Sequence, residues 1–249
     1  MATFSNKVVL VTGANSGIGE ATAIAFAEAG AEVYGTARTD VALGEARAKL
    51  PKIRWVKLDV RDASAARGAV QAVVKEAGRL DVLVNNAGVA RLLPLQATSP
   101  EDIAVQFETN VYGLTYVTQA ALPALQSSRG TIVNVASTSA HKAQPFGSLY
   151  AASKAAVETL TRSWALELAP AGVRVNAVSP GPVRTPIIGK LGLPPDVVAG
   201  MAEAIPASLP LRRIGETTDI ARWILALGDP SVTWVTGQVL SIDGGMSIS

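Results

Sequence analysis

The sequence predicts an α/β fold in which a parallel sheet of about seven strands lies between two layers of helices. Two observations favour this fold: short apolar runs alternate with longer stretches of helical period, and a glycine-rich turn directly follows the first run. Right-handed crossovers between such strands give a doubly wound, three-layer sandwich that binds ligands at the carboxyl ends of its strands. The runs predicted as strands are Val8–Val11, Glu32–Thr36, Arg54–Leu58, Asp81–Val84, Thr131–Val135, Arg174–Val178 and Val239–Ile242.

Helix start and stop signals lie between these strands. Asp62 precedes an alanine-rich stretch that ends at Gly78, Ser99-Pro100 opens another helix, and Gly172 follows a third. The segment of about 185–212 is too long for an idle connection, and its prolines and apolar residues indicate a lid or a pocket wall. We expect one domain over residues 1–249, with this segment as its substrate loop.

Composition excludes several classes of protein. The 249 residues are 49% hydrophobic and 17% charged, which is typical of a globular domain. The 22 basic and 20 acidic side chains nearly cancel and form no basic stripe, so we expect no nucleic-acid partner. The chain has no cysteine, no room for a signal peptide before the first strand and no long apolar run. We therefore expect a cytoplasmic protein with no membrane partner and no metal site.

The turn after the first strand indicates a dinucleotide site. It reads Thr12-Gly13-Ala14-Asn15-Ser16-Gly17-Ile18-Gly19, and a helix follows at once. Gly13 permits the tight turn, Gly17 the approach of a phosphate, and Gly19 close packing of the helix on the strand. The free N–H groups of the helix would bind the pyrophosphate. The spacing departs from G-x-G-x-x-G, and a turn that merely needs positive φ is the alternative.

The end of the second strand favours NADP(H) over NAD(H). It reads Ala37-Arg38-Thr39, so a guanidinium stands where an Asp or Glu would bind the ribose of NAD(H). Thr39 adds a hydroxyl. NAD(H) stays possible, with Asp40 as a ribose ligand or, more simply, as a helix N-cap. Two later strand ends carry Asp59-Val60 and Asn86-Ala87-Gly88, which we expect near the adenine and the ribose, although Asn and Gly also form turns without a ligand.

A catalytic pair is predicted at the start of a later helix. Tyr150 and Lys154 have i, i+4 spacing, which places phenol and ammonium on one helix face. A cation beside the phenol would lower its pKa and make it usable for general acid–base catalysis. Ser137, just past the fifth strand, would face the same cleft and hydrogen-bond a substrate oxygen.

Together with Asn110 and Pro180-Gly181, these motifs resemble the classical short-chain dehydrogenase/reductase family over essentially the whole chain. The resemblance implies a single-domain Rossmann-type fold and a Ser137-Tyr150-Lys154 set, in which Lys154 also holds the nicotinamide ribose. The resemblance also implies that Asn110 is the fourth member of this catalytic set and holds a water molecule linked to Lys154. It also implies a homotetramer. The segment that shelters the nicotinamide would comprise Pro180, Gly181, Val183 and Thr185.

The sequence thus predicts an enzyme that transfers a hydride between NADP(H) and a neutral, fairly apolar carbonyl or secondary alcohol, with Tyr150 as the general acid and base. A 3-oxoacyl-thioester reductase, an NAD-linked polyol or steroid dehydrogenase, and a non-catalytic NADP-binding regulator are the alternatives. A Ser–His hydrolase that uses His141 is disfavoured, because no G-x-S-x-G elbow is present. The apolar residues expected to line the substrate pocket are Ile187, Ile188, Leu191, Leu193, Val197, Val198 and Met201.

Overall fold

In a computed structural model, which describes residues 4–193 and 195–249, the chain forms a seven-stranded parallel sheet with helices on both faces. Of residues 195 and 201–203 only the backbone is described. The strands are β1 (Val8–Val11), β2 (Glu32–Ala37), β3 (Arg54–Lys57), β4 (Val82–Asn85), β5 (Thr131–Val135), β6 (Arg174–Pro180) and β7 (Val239–Ile242). The α-helices are α1 (Gly17–Glu28), α2 (Asp40–Lys49), α3 (Ala63–Ala77), α4 (Pro100–Phe107), α5 (Leu114–Ser128), α6 (Ser148–Leu168), α7 (Pro195–Ser208) and α8 (Thr217–Gly228).

The strand order is β3-β2-β1-β4-β5-β6-β7, and every pairing is parallel. The order reverses between β1 and β4, which opens a crevice at their carboxyl ends. The predicted doubly wound fold is confirmed. The prediction of Asp81 as the first residue of its strand was wrong by one; its carboxylate accepts from Val8 N at 3.0 Å and pairs with Lys7 and Arg79 at 3.2 and 2.6 Å.

Alternate residues of β1 build the two cores, one on each face of the sheet. Val9 and Val11 pack with Phe26 of α1 and Ile224 of α8. On the other face, Val8 and Leu10 pack with side chains of α3, α5 and α6. All four β1 side chains are buried, and each contributes about 1.5–3 kcal/mol of hydrophobic free energy. This two-sided burial fixes the strand ends that carry the site.

The predicted helix boundaries are confirmed at three places. Asp62 caps α3, its Oδ1 accepting from Ser64 N at 2.8 Å and Ala65 N at 3.0 Å, and Gly78 ends the helix with φ of +75°. Ser99 caps α4 in a reciprocal capping box, and Gly172, with φ of +77°, follows the 3₁₀ turn after α6. Among the described helices, none is both long and apolar enough to cross a bilayer.

Candidate active site

A cavity of about 800 Å³ lies over the carboxyl ends of β1, β2, β4, β5 and β6. It extends from the glycine-rich turn to the segment between β6 and α8. Its walls bring together most of the residues that the sequence singled out. Those that line it are Gly13, Asn15, Ser16, Gly17, Ile18, Arg38, Thr39, Asp59, Val60, Asn86, Ala87, Gly88, Ser137, Tyr150, Lys154, Pro180, Gly181, Val183 and Thr185.

The glycine-rich turn is shaped by backbone conformations that favour glycine. Gly13 and Gly17 have φ of +62° and +59°. A Cβ at Gly13 would lie 3.0 Å from Ala87 Cα, so the loop and the turn after β4 are in contact. The helix α1 begins at Gly17, and the Ser16 side chain does not cap it. The first N–H groups of α1 are therefore available to an anion.

Gly19 does not line the cavity. A Cβ there would lie 2.3 Å from Asn86 Nδ2 and 2.4 Å from Gly13 O, so this glycine permits packing within the turn. Asn86 Nδ2 donates to Thr12 O at 2.9 Å and to Gly13 O at 3.1 Å. Thr12 Oγ1 accepts from Asn86 N and Ala87 N, both at 3.0 Å. Thr12 and Asn86 thus lock the loop after β1 to the turn after β4.

At the end of β2, Arg38 is an exposed cation on the cavity wall. It makes no hydrogen bond or ion pair with any residue that the structure describes. The predicted N-cap at Asp40 was wrong. Thr39 caps α2, its Oγ1 accepting from Ala42 N at 3.2 Å, and Asp40 instead pairs with Lys57 at 2.6 Å. The Asp40 carboxylate therefore has a cation already, whereas Arg38 has its donors free.

Asp59 lies on the same wall with its carboxylate engaged. Arg61 Nε donates to Asp59 Oδ1 at 3.0 Å and Arg61 Nη2 donates to Oδ2 at 2.7 Å. These hydrogen bonds lower the pKa of Asp59, and burial only partly opposes them. Gly113, at the end of a π-helical turn, packs on the adjoining Val60, where a Cβ would lie 2.7 Å from Val60 Cγ2.

Ser137, Tyr150 and Lys154 lie together on the wall formed by β5 and α6. Ser137 is buried; its Oγ accepts from Ser139 N at 3.3 Å, and its hydroxyl forms a hydrogen bond with the Tyr150 side chain. Lys154 Nζ donates to Val135 O at 2.7 Å and lies 6.0 Å from the centroid of the Tyr150 ring. The first two turns of α6 therefore place both side chains against the end of β5.

The pKa values on this wall depend on burial. Burial raises the pKa of Tyr150, and the Ser137 hydrogen bond lowers it by less. The expected lowering by Lys154 is not seen among the described residues, because the ammonium is directed to Val135 O. Burial lowers the pKa of Lys154 to about 8. Tyr150 is accordingly protonated near pH 7 in the free protein, which is the form that can donate a proton.

Asn110 lies behind the cavity wall, in the π-helical turn Glu108–Gly113 between α4 and α5. Its Oδ1 accepts from Val89 N at 2.9 Å, and its Nδ2 donates to Val89 O at 2.9 Å and Ser153 Oγ at 3.0 Å. A Cβ at Gly88 would lie 3.3 Å from Asn110 Oδ1 and 3.5 Å from Lys154 Nζ. Asn110 and Lys154 therefore meet across Gly88.

The segment between β6 and α8 lines the cavity with apolar residues and also with Lys190. Of the residues expected there, Ile187, Ile188, Leu191 and Val198 line it, Leu193 and Val197 do not, and the side chain of Met201 lies outside the described residues. The sequence reasoning missed Leu92, Ile205, Ile214 and Met246, which also line the cavity. They carry no motif and lie far from Tyr150 along the chain, so only the fold identifies them.

His141 does not line the cavity either. Its Nδ1 lies 3.4 Å from Oε1 of the buried Glu158 on α6. A carboxylate and a histidine are thus present, but among the described residues neither is hydrogen-bonded to Ser137. This arrangement gives no Ser–His nucleophile among the described residues.

Comparisons with known proteins agree with the fold and identify the family. A family model described as enoyl-(acyl carrier protein) reductase matches residues 13–247. The 3-oxoacyl-(acyl-carrier-protein) reductase FabG of Thermotoga maritima is 40% identical over 247 residues, covering 97% of this chain and 98% of the relative.

Two solved structures cover nearly all of the chain. A short-chain dehydrogenase/reductase of unknown function from Caenorhabditis elegans, solved with cofactor, has a TM-score of 0.90 at 34% identity and covers 98% of this chain and 96% of its own. The 3-ketoacyl-(acyl-carrier-protein) reductase of Brucella melitensis, in complex with NADH, has a TM-score of 0.90 at 30% identity and covers 99% of this chain and 100% of its own. The chain therefore belongs to the classical short-chain dehydrogenase/reductase family and is an oxidoreductase.

Proposed function

We propose that the protein transfers a hydride between NADP(H) and a carbonyl or secondary-alcohol substrate, with Tyr150 as the general acid and base. One observation supports this function above the others. Ser137, Tyr150 and Lys154 line the same cavity as the glycine-rich turn and Arg38. A dinucleotide bound along the cavity would thus lie between an anion site and a proton donor.

The residues present fit a dinucleotide phosphate. The cavity volume of about 800 Å³ lies within the usual range for cofactor sites. The N-terminus of α1 would bind the pyrophosphate, and Arg38 would bind the 2′-phosphate through its planar donors. The cofactor, when bound, supplies or accepts the hydride. NAD(H) is the alternative cofactor, since the related Brucella melitensis structure contains NADH.

The residues on the cavity wall formed by β5 and α6 account for the proton transfer. In the reduction, Tyr150 donates its proton to the carbonyl oxygen, and the Ser137 hydroxyl, which is hydrogen-bonded to Tyr150 in the free protein, donates a hydrogen bond to the same oxygen. Lys154, whose Nζ lies 6.0 Å from the centroid of the Tyr150 ring, is the cation on this wall, but in the free protein it does not lower the pKa of Tyr150. Asn110 positions the Val89 backbone next to Gly88 and Lys154. In the oxidation the same groups work in reverse.

We propose a neutral carbonyl substrate, because Ile187, Ile188, Leu191 and Ile205 supply an apolar lining, although Lys190 of the same segment also lines the cavity. A 3-oxoacyl thioester is the second candidate, because the relative from Thermotoga maritima is a 3-oxoacyl-(acyl-carrier-protein) reductase. Acetoacetyl-coenzyme A and simple ketones distinguish the two candidates in one assay. A rate only with the thioester would favour the second.

Initial rates with NADPH and NADH, on the wild type and on Tyr150→Phe, test the proposal. We expect Tyr150→Phe to lower kcat by about 10²–10⁴-fold, because the general acid is lost, while the Kd of NADPH from nicotinamide fluorescence stays unchanged. Tyr112→Phe, at an exposed tyrosine, is the matched control. Full activity in Tyr150→Phe would contradict the assignment. Binding of NADPH without turnover of any substrate would indicate a regulator instead.

A further inference from the structure

The chain returns to the cavity after β7, in a turn formed by residues 243–249, which we call the C-terminal turn. Asp243 organises it from within: Oδ1 accepts from Gly245 N at 2.9 Å and Oδ2 accepts from Ser247 N at 2.8 Å. Burial opposes ionisation of Asp243, but a hydrogen bond from the Ser247 side chain, together with these two backbone hydrogen bonds, outweighs it and lowers the pKa. The turn is therefore an ordered structure, and one of its side chains, Met246, lines the cavity.

Two other walls of the cavity pack against this turn. Gly181 N donates to Ile242 O at 3.1 Å, and a Cβ at Gly181 would lie 2.7 Å from Asp243 Cα. Leu211 N donates to Gly244 O at 3.1 Å, at the end of the segment of about 185–212. The turn thus contacts both the end of β6 and the end of the substrate segment.

The third contact is with the segment that follows Ser137. Lys142 Nζ donates to Met246 O at 2.6 Å and to Ser249 O at 2.7 Å. The Thr138 hydroxyl lies 3.2 Å from Pro180 O, to which it donates, and 3.9 Å from Met246 Sδ. Lys142 therefore fixes the backbone of Met246, and Thr138, next to Ser137 in the chain, contacts its sulfur.

We propose that Met246 is a specificity-determining residue: its side chain closes the substrate end of the cavity beside Ser137, and Lys142 is the positioning residue that holds it there. The inference rests on the proposed function, since it limits the size of the group carried by the carbonyl substrate. Methionine suits this place, because its unbranched, polarizable side chain fills irregular apolar walls. A smaller residue would enlarge the pocket next to the reacting carbon.

The absence of cysteine from the chain permits a direct test that needs no turnover. Met246→Cys introduces a unique thiol, whose rate of labelling by N-ethylmaleimide is followed by mass spectrometry with and without NADP⁺ and 4-phenyl-2-butanone. The oxidised cofactor and a ketone cannot react, so the complex persists. At a ketone concentration of about four times its Kd, we expect labelling to slow by about fivefold beyond the effect of NADP⁺ alone. Ile248→Cys, at a position of the same turn that is 90% exposed, is the control and should show no protection.

Kinetics then test the effect on specificity. We expect Met246→Ala to raise the ratio of kcat/KM for 4-phenyl-2-butanone over 2-butanone by about tenfold, as for other changes of pocket size, mainly through KM. Met246→Leu and Ile248→Ala should leave the ratio near that of the wild type. Lys142→Met should shift the ratio in the same direction as Met246→Ala. Lys142→Arg should give a ratio near that of the wild type.

Equal labelling of Met246→Cys with and without the ketone, or an unchanged ratio in Met246→Ala, would overturn the inference. Neither result would affect the proposed function if the wild type reduces ketones. Conversely, a wild type that reduces no ketone, combined with protection of Met246→Cys, would refute the proposed substrate class and leave Met246 as a wall of the binding site.

Discussion

Lys154 contributes to the candidate active site but lowers the stability of the folded protein when its ammonium is charged. Its side chain is buried, and burial lowers its pKa from 10.5 to about 8. Below pH 8 the folded protein therefore holds a buried ammonium, which water would solvate better in the unfolded chain. A group of this kind persists when it has a role, and Lys154 lies between Val135 O and the ring of Tyr150.

This cost has a defined pH dependence. Between pH 8 and 10.5 the unfolded chain binds a proton at Lys154 that the folded protein does not, so the contribution of Lys154 to the free energy of unfolding rises with pH. We expect the free energy of unfolding of the wild type, relative to that of Lys154→Met, to rise by up to about 3 kcal/mol between pH 8 and pH 10.5. Urea denaturation of both proteins at pH 7 and pH 10 measures the difference. Lys52→Met controls for the loss of one exposed charge, and a constant difference between the wild type and Lys154→Met would contradict the prediction.

We expect Arg38 to determine the preference for NADPH over NADH. Its guanidinium is exposed on the cavity wall, whereas the neighbouring Asp40 is paired with Lys57. We expect Arg38→Ala to raise KM for NADPH by about ten- to a hundredfold, the value of a charge-assisted hydrogen bond. The rate with NADH in the same variant is the internal control and should hardly change. Equal effects on both nicotinamides would remove the argument for the 2′-phosphate.

The residues predictable from sequence were those whose role depends on local spacing. Gly13 and Gly17 belong to one turn, and Tyr150 and Lys154 to one helix face, so a short stretch of sequence identifies each pair. Ser137 was predictable because it follows a strand. Met246 was not, since its place beside Thr138 depends on the crossing of β7 next to β6. The raised pKa of Tyr150 was missed for a related reason: burial and the direction of Lys154 Nζ are tertiary properties.

At the scale of elements, α1 and the glycine-rich turn form one unit with the turn after β4. Asn86 and Thr12 join them by hydrogen bonds, and Gly19 leaves the space in which the Asn86 amide lies. The caps at Asp62 and Ser99 were predictable because they are local signals, whereas the cap of α2 and several strand ends were missed by one or two residues. The π-helical turn that holds Asn110 was not, because it depends on contacts with Val89 and Ser153.

Two helical glycines give a matched test of this unit. A Cβ at Gly19 would lie 2.4 Å from Gly13 O, which is backbone, whereas a Cβ at Gly68 in α3 would meet nothing within 4 Å. We expect Gly19→Ala to lower the free energy of unfolding by about 1–3 kcal/mol through overpacking and to weaken NADPH binding. Gly68→Ala should raise the free energy of unfolding by about 0.5–1 kcal/mol, because alanine favours the helix more than glycine does. Thermal unfolding and NADPH titration of both variants measure these effects. An unchanged free energy of unfolding in Gly19→Ala would mean that the turn can move to make room for the Cβ.

At the scale of the whole molecule, the cavity is built by residues from Gly13 to Met246, and one sheet contains strands from both ends of the chain. We infer from this that residues 1–249 work as one dinucleotide-binding and catalytic domain. Among the strands of the described residues, β7 pairs with β6 alone and forms an open edge of the sheet. Large apolar side chains are exposed near this edge and on the adjoining helices: Leu166, Trp223 and Trp234.

An exposed strand edge with apolar neighbours favours association with another chain. The family resemblance implies a homotetramer, and we expect light scattering after gel filtration to give the mass of four chains. Trp234→Lys and Leu166→Lys, at positions that are 99% and 81% exposed, should shift the protein to smaller species, because a lysine cannot be buried unpaired in a subunit contact. Val41→Lys, at a 72% exposed position on α2 near the opposite edge, should leave assembly unchanged. A monomeric wild type, or the same mass in all three variants, would show that this face remains in solvent.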